Sequence, residues 1–281
     1  MWKGRVQMNF KFVVPKNEKD LIKEFSDDRC VLMAGGTDLL VKMRLGKIKP
    51  EKVISTIKVP TLHTLSFDGE NLTIGANVTY SELLDFKPIK AEFPILYDAI
   101  LTVGSPQIRN RATLAGNIMN ASPAGDGLLA LYLLDASVEI SDGEVHAISD
   151  FITGPGKTMI GHKRYLKNIL ISKNDWTHRY FEKVGQRTSM TISIASIGVL
   201  LKLSGKRIDE MRLAFGSVGP TVLRMREIET FAKGKVLNEK LLDEISSLVF
   251  ESVKPIDDVR GSADYRKRLC RNLVYRLNEF L

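Results

Sequence analysis

The stretch Ala34-Gly35-Gly36-Thr37-Asp38-Leu39-Leu40 is answered much later in the chain by Ala112-Thr113-Leu114-Ala115-Gly116-Asn117. Each is a short apolar run ending in glycine and small hydroxyl or amide residues. Cys30 to Met33 reads as a buried strand and Asp38 to Arg44 as the helix that follows it. Two glycines between them let bare backbone N–H groups approach a ligand without interference from a Cβ. A nest of that kind, placed before a helix N-terminus, suits a phosphate or pyrophosphate. One such turn is weak evidence. Two of the same kind suggest a dinucleotide held between two lobes.

Working outward, three regions separate. From Asn9 to Ser55 the pattern is βαβ-like, with a helix near Glu18 to Phe25 between strands that include Val31 to Met33 and Lys52 to Ile54. From Lys58 to Lys173, strands at Leu72 to Gly75 and Val138 to Ile140 flank helices at Ser81 to Leu84 and Pro94 to Val103. Beyond Trp176 come strands at Ile192 to Leu203 and Arg212 to Phe215, then helices at Leu223 to Ala232, Glu239 to Val253 and Asp264 to Phe280. The polar run Ser172-Lys173-Asn174-Asp175 is the best linker. The expected division is 1–57 as a first cofactor lobe, 58–173 as a second lobe and 176–281 as a C-terminal domain.

Composition narrows the function. Apolar residues at 44% and charged residues at 26% of 281 describe an ordinary globular protein of two or three domains. No apolar run approaches the ~20 residues of a membrane span. Met1-Trp2-Lys3-Gly4-Arg5 lacks the apolar core of a signal peptide, and two cysteines imply no disulfide framework, so the expected location is cytoplasmic. The net charge of +8 is spread along the chain without a recognition helix or aromatic-interleaved stripe, which argues against nucleic acid. The densest basic segment, Arg260 to Arg276, carries Tyr265, Leu269, Cys270, Leu273, Val274 and Leu277 at helical spacing, as a solvated or subunit-docking helix would.

Familiar chemistries fall away in turn. Gly154-Pro155-Gly156-Lys157-Thr158 looks like the end of a P-loop, but Phe151 stands where that motif needs glycine, and Pro155 removes a backbone donor. No G-x-G-x-x-G follows a strand at the ordinary dinucleotide-binding position. His63, His146, His162 and His178 show no metal-ligand spacing, so no metal is assigned to this chain. Cys30 and Cys270 are too few to hold an iron–sulfur cluster. No residue is assigned to catalysis.

The paired glycine turns sit within a longer ordered set: Pro106 to Asn110 running into Ala112 to Ile118, then Ala121 to Asp126, Phe151 to Thr158, Phe215 to Thr221 and Gly261 to Arg266. In that order, over almost the whole chain, the set resembles the FAD-binding medium subunit of the molybdenum hydroxylases, the xanthine dehydrogenase and carbon monoxide dehydrogenase family. The resemblance implies an α+β protein: a two-lobed FAD-binding domain of the vanillyl-alcohol-oxidase (PCMH) type, followed by a small α+β C-terminal domain.

It further implies that FAD lies non-covalently on the backbone of Leu32, Met33, Ala34, Gly35, Gly36, Thr37, Asp38 and Leu39, and of Thr113, Leu114, Ala115, Gly116 and Asn117. Asp126 would hold a sugar or ribityl hydroxyl, Leu166 would line the flavin or adenine slot, and Lys183 would be the cation near the cofactor. Ala115 departs from relatives, which commonly carry glycine there; its methyl group fits only a negative φ. The implied partners are a small subunit with two 2Fe-2S clusters and a large subunit with molybdenum–pterin, in a dimer of heterotrimers. Electrons would pass from the clusters through FAD to a nicotinamide as hydride, or singly to another acceptor. Two other readings stand beside it: a stand-alone flavin oxidase of the vanillyl-alcohol type, and a non-catalytic scaffold that keeps the fold.

Overall fold

The computed structural model describes residues 9–25, 29–187 and 191–281; the basic opening Met1 to Arg5 lies outside them. Its first unit is a three-stranded parallel sheet in the order Lys11–Val13, Lys52–Ser55, Cys30–Met33, with Val53 beside Phe12 on one flank and Ile54 beside Leu32 on the other. Parallel strands of one sheet need a crossover, and the helix Glu18–Glu24 provides the one from Lys11–Val13 to Cys30–Met33, on either side of Lys52–Ser55. Asn17 starts that helix by accepting a hydrogen bond from the Asp20 N–H, and Leu21 is its fully buried residue. Leu21, Ile54, Val59 and Leu62 form a small core with Tyr165, which arrives from the second lobe.

The second unit is a five-stranded antiparallel sheet in the order Leu65–Phe67, Asn71–Gly75, Leu166–Ser172, Ser137–Ile140, Val145–Ala147. Short helices cover it, and their starts follow from sequence. Thr79 and Glu82 form a reciprocal capping box for Tyr80–Asp85, and Thr113 caps Leu114–Asn120 by accepting from the Gly116 N–H at 2.9 Å. Ala115 sits inside that second helix and is not among the residues with positive φ, so its methyl group is accommodated. The P-loop-like run is a hairpin: Ile152–Gly154 pairs with Lys157–Thr158, and Gly156 at φ +68 makes the turn after Pro155.

The third unit is a four-stranded antiparallel sheet, His178–Val184, Ala195–Ser204, Arg207–Gly216 and Leu223–Arg224, with the helices Arg226–Ala232, Glu239–Ser252 and Ala263–Val274 packed on it. Two readings of this region are corrected. Leu223 and Arg224 form a strand opposite Phe215 and Ala214, and the helix begins only at Arg226. Arg224 is drawn out of the helix because its guanidinium bonds Glu229, Asp135 and the Tyr132 carbonyl together. On the helix Ala263–Val274, Tyr265 is 47% exposed and Arg266, at 1%, takes the buried position instead.

Arg266 is tolerated inside because it is paired. Its Nη1 donates to the Ser217 carbonyl at 2.8 Å and its Nη2 to Asp258 Oδ1 at 2.5 Å. The guanidiniums of Arg260 and Arg266 hold the Asp258 carboxyl well below the usual carboxylate range. A depressed acid contributes stability that is present above its ordinary value and lost on acidification. Asp258→Ala is therefore expected to cost about 3 kcal/mol in urea denaturation near neutral pH, because a buried cation loses its partner, and to make the protein less acid-sensitive.

One element ties the second unit to the third. The helix Asp126–Leu133 is buried along its whole length and packs against the strands Ala195–Ser204 and Arg207–Gly216. A Cβ on Gly198 would lie 2.4 Å from both Leu129 and Leu133, so the bare backbone of that strand is the seat of the helix. At the far end, Arg224 and Arg212 donate to the Tyr132 and Leu133 carbonyls at 2.6 Å, capping the helix C-terminus with cations.

Candidate cofactor cleft

The two glycine turns converge on one cleft of about 800 Å³ between the lobes, near the upper end of the range for small-molecule and cofactor sites. On its first wall, the strand Cys30–Met33 ends in Ala34 to Asp38, with Gly36 at φ +78 before the helix Leu39–Arg44. On its second wall stand Thr113, Ala115, Gly116 and Asn117 at the start of the helix Leu114–Asn120. Two helix N-termini thus open into one space, which favours an anion between them.

The lobes meet through backbone. A Cβ on Gly35 would lie 1.8 Å from the Arg111 carbonyl oxygen and 3.0 Å from Ala112 Cα. Gly35 is therefore required for contact with the second lobe, whereas Gly36 is the residue whose conformation needs glycine. Two polar bridges reinforce the seam. Buried Asn77 donates to the Thr56 carbonyl and accepts from the Thr56 hydroxyl, both at 2.6 Å, and Lys42 Nζ donates to Asn120 Oδ1 at 2.5 Å.

The electrostatic centre is an ion pair closed by the third unit. Lys183 Nζ lies 2.5 Å from Asp126 Oδ2 and donates to the Thr102 carbonyl at 3.2 Å; the two side chains are 8% and 6% exposed. Burial pushes the Asp126 carboxyl up to about 6, with the Lys183 ammonium opposing that rise. Asp126 Oδ1, Asn117 Oδ1 and the Tyr80 hydroxyl are buried without a hydrogen-bond partner, and all three residues line the cleft. Buried polar atoms are rarely left unpaired in a native protein, so these three mark unmet hydrogen-bonding capacity on residues of the cleft.

Of the residues singled out from sequence, the structure gathers Leu32 to Leu39, Thr113, Ala115 to Asn117, Asp126, Leu166 and Lys183 around this cleft. Leu114 is the exception: its side chain is fully buried in the second-lobe core. Cys30 is half-buried on the cleft wall and not an interior residue. Sequence reasoning missed Tyr80, Lys42 and Arg164, which also line it. Arg164 is engaged by Asp142 and Glu144, whereas Lys42 is held by the neutral Asn120 amide. Among the described residues there is no group of three or more side chains suited to a metal ion, and no helix is long and apolar enough to cross a membrane.

Residues 8–173 match the family model for the FAD-binding domain in molybdopterin dehydrogenase, and residues 179–280 match that for the CO dehydrogenase flavoprotein C-terminal domain. The chain is 28% identical over 272 residues to the glyceraldehyde dehydrogenase medium chain of Sulfolobus acidocaldarius, covering 95% of this chain and 96% of that one. It is 30% identical to a xanthine dehydrogenase FAD-binding subunit of Escherichia coli, covering 92% and 91%. Among solved structures, a chain of carbon monoxide dehydrogenase from Hydrogenophaga pseudoflava superimposes with a TM-score of 0.89 at 25% identity, covering 96% of each.

Proposed function

We propose, from the premise that this chain belongs to the FAD-binding medium subunits of the molybdenum hydroxylases, that it works as the electron outlet of a larger oxidoreductase. When bound, FAD would supply two-electron chemistry between iron–sulfur clusters on a partner chain and a nicotinamide or another acceptor. The observation that supports this reading is that the starts of two helices and the buried Asp126–Lys183 pair line one cleft.

The division of labour follows from the residues. The turns at Gly35-Gly36-Thr37 and Thr113 to Asn117 offer backbone N–H groups for the pyrophosphate. Asn117 and Asp126 offer acceptors to hydroxyl groups of the same molecule. Lys183 sets a positive charge in the cleft that Asp126 cancels when ionised, so the local field changes as Asp126 takes up a proton. Partner subunits carrying two 2Fe-2S clusters and molybdenum–pterin, in a dimer of heterotrimers, complete the proposal.

Native expression is expected to yield a yellow complex containing the two partner chains, from which acid precipitation releases intact FAD into the supernatant. Flavin retained in the pellet excludes non-covalent binding. Rapid flavin reduction by organic substrate in the isolated chain removes the need for partners.

A further inference from the structure

We infer that Tyr80 is a cofactor ligand whose hydroxyl donates a hydrogen bond to an oxygen of the ribityl chain, forming one binding unit with Asn117 and Asp126. This rests on the FAD reading above and goes beyond it by assigning a residue outside the glycine turns.

Tyr80 is 1% exposed and its place is fixed. Thr79 caps its helix, and the Tyr80 N–H donates to the Ala112 carbonyl at 2.9 Å, beside the second glycine turn. Phenylalanine would fill the same volume, so packing alone does not explain the hydroxyl. Yet that hydroxyl, on a residue that lines the cleft, is buried without a partner, a state that native proteins avoid. Burial, with Asp126 and Asp38 nearby, keeps the phenol protonated and hence a donor.

The donor set selects the ligand group. Asn117 Oδ1 and the Tyr80 hydroxyl lie 3.1 and 3.2 Å from the point where a Cβ on Gly127 would stand, with Leu114 Cδ1 at 2.8 Å, so the two polar atoms are close together at the start of the helix Asp126–Leu133. Asp126, whose Oδ1 is also unpaired, is the residue before Gly127. Two acceptors and one donor repel a bare phosphate oxygen, which has no proton to give. A chain of hydroxyls matches them, giving hydrogens to Asn117 and Asp126 and accepting one from Tyr80.

The test compares wild type with Tyr80→Phe as apoproteins, titrated with FAD, FMN and ADP and melted without ligand. Loss of one such bond is expected to weaken FAD and FMN binding by about tenfold. ADP, which lacks the ribityl chain, is expected to bind both proteins equally, and the ligand-free melting temperature is expected to stay level or rise, since an unpaired polar atom has been removed. Equal FAD affinity in the two proteins overturns the inference, as does a lower ligand-free melting temperature, which marks a structural hydroxyl. An ADP affinity that falls by the same factor places the hydroxyl on the pyrophosphate and overturns the ribityl assignment. Wild-type apoprotein that ignores FAD overturns the cofactor reading itself, a failure distinct from the others.

Discussion

Gly35→Ala is expected to lose about 3 kcal/mol or more of stability and to weaken FAD binding by at least about a hundredfold. The added methyl group would overlap the Arg111 carbonyl oxygen at 1.8 Å and its carbon at 2.5 Å. Backbone on both sides leaves no flexible side-chain tip to yield, so the lobes must part. Parting them displaces Thr113 to Asn117 relative to Ala34 to Asp38, the two walls that must both meet the pyrophosphate. Gly69→Ala is the control: Gly69 has φ +103 but nothing within 4 Å of its Cβ position. It carries a backbone strain of about 1 kcal/mol and no effect on the cleft. Urea midpoints and flavin-fluorescence titrations separate the two variants. A Gly35→Ala protein that binds FAD like wild type contradicts the rigid seam.

The second large effect belongs to Lys183→Met. Removing the ammonium leaves Asp126 buried with no cation, which is expected to cost about 3–5 kcal/mol at about pH 8. The sign of the pH dependence follows from the raised Asp126 carboxyl. Between its ordinary value of 3.8 and the folded value of about 6, the folded protein holds a proton that the unfolded chain has released. Stability therefore falls as pH rises through that window and is level above it. Without Lys183 the folded value climbs further, so the deficit of the variant grows from about pH 5 to about pH 8. The double variant Asp126→Leu/Lys183→Met is expected to recover most of the loss, because an apolar pair replaces an unpaired charge. A deficit independent of pH would place the effect of Lys183 in packing and not in charge.

The architecture was legible because local signals agreed with the final fold. The apolar strand before Gly35, the helix that follows Gly36, and the second glycine turn at Thr113 to Asn117 are short-range features readable from neighbouring residues. The strands Leu166–Ser172 and His178–Val184 were not read, although they carry Leu166 and Lys183. The second of these is half-buried at every position but the exposed Arg179 and mixes charges with aromatics, so it shows no clean alternation. Tyr80 was hidden for a different reason: an aromatic in an amphipathic helix looks like core, and only its unpaired hydroxyl reveals a further use. Contacts between distant segments, such as Gly35 against Arg111 or Asp126 with Lys183, have no local signature. Arg266 likewise reads as a surface cation until Asp258 and Ser217 are seen around it.

The seating of the helix Asp126–Leu133 bears on how such a protein can be cut. By sequence it belongs to the cofactor half; by contact, half of its surroundings belong to the strands that follow. Those strands have surrendered side chains at Gly198 to receive Leu129 and Leu133, and their arginines close its final carbonyls. Severed after residue 173, the first fragment would bare a leucine ridge and the second a glycine trough, each an invitation to aggregate. Each half therefore depends on the other for the cover of its own surface.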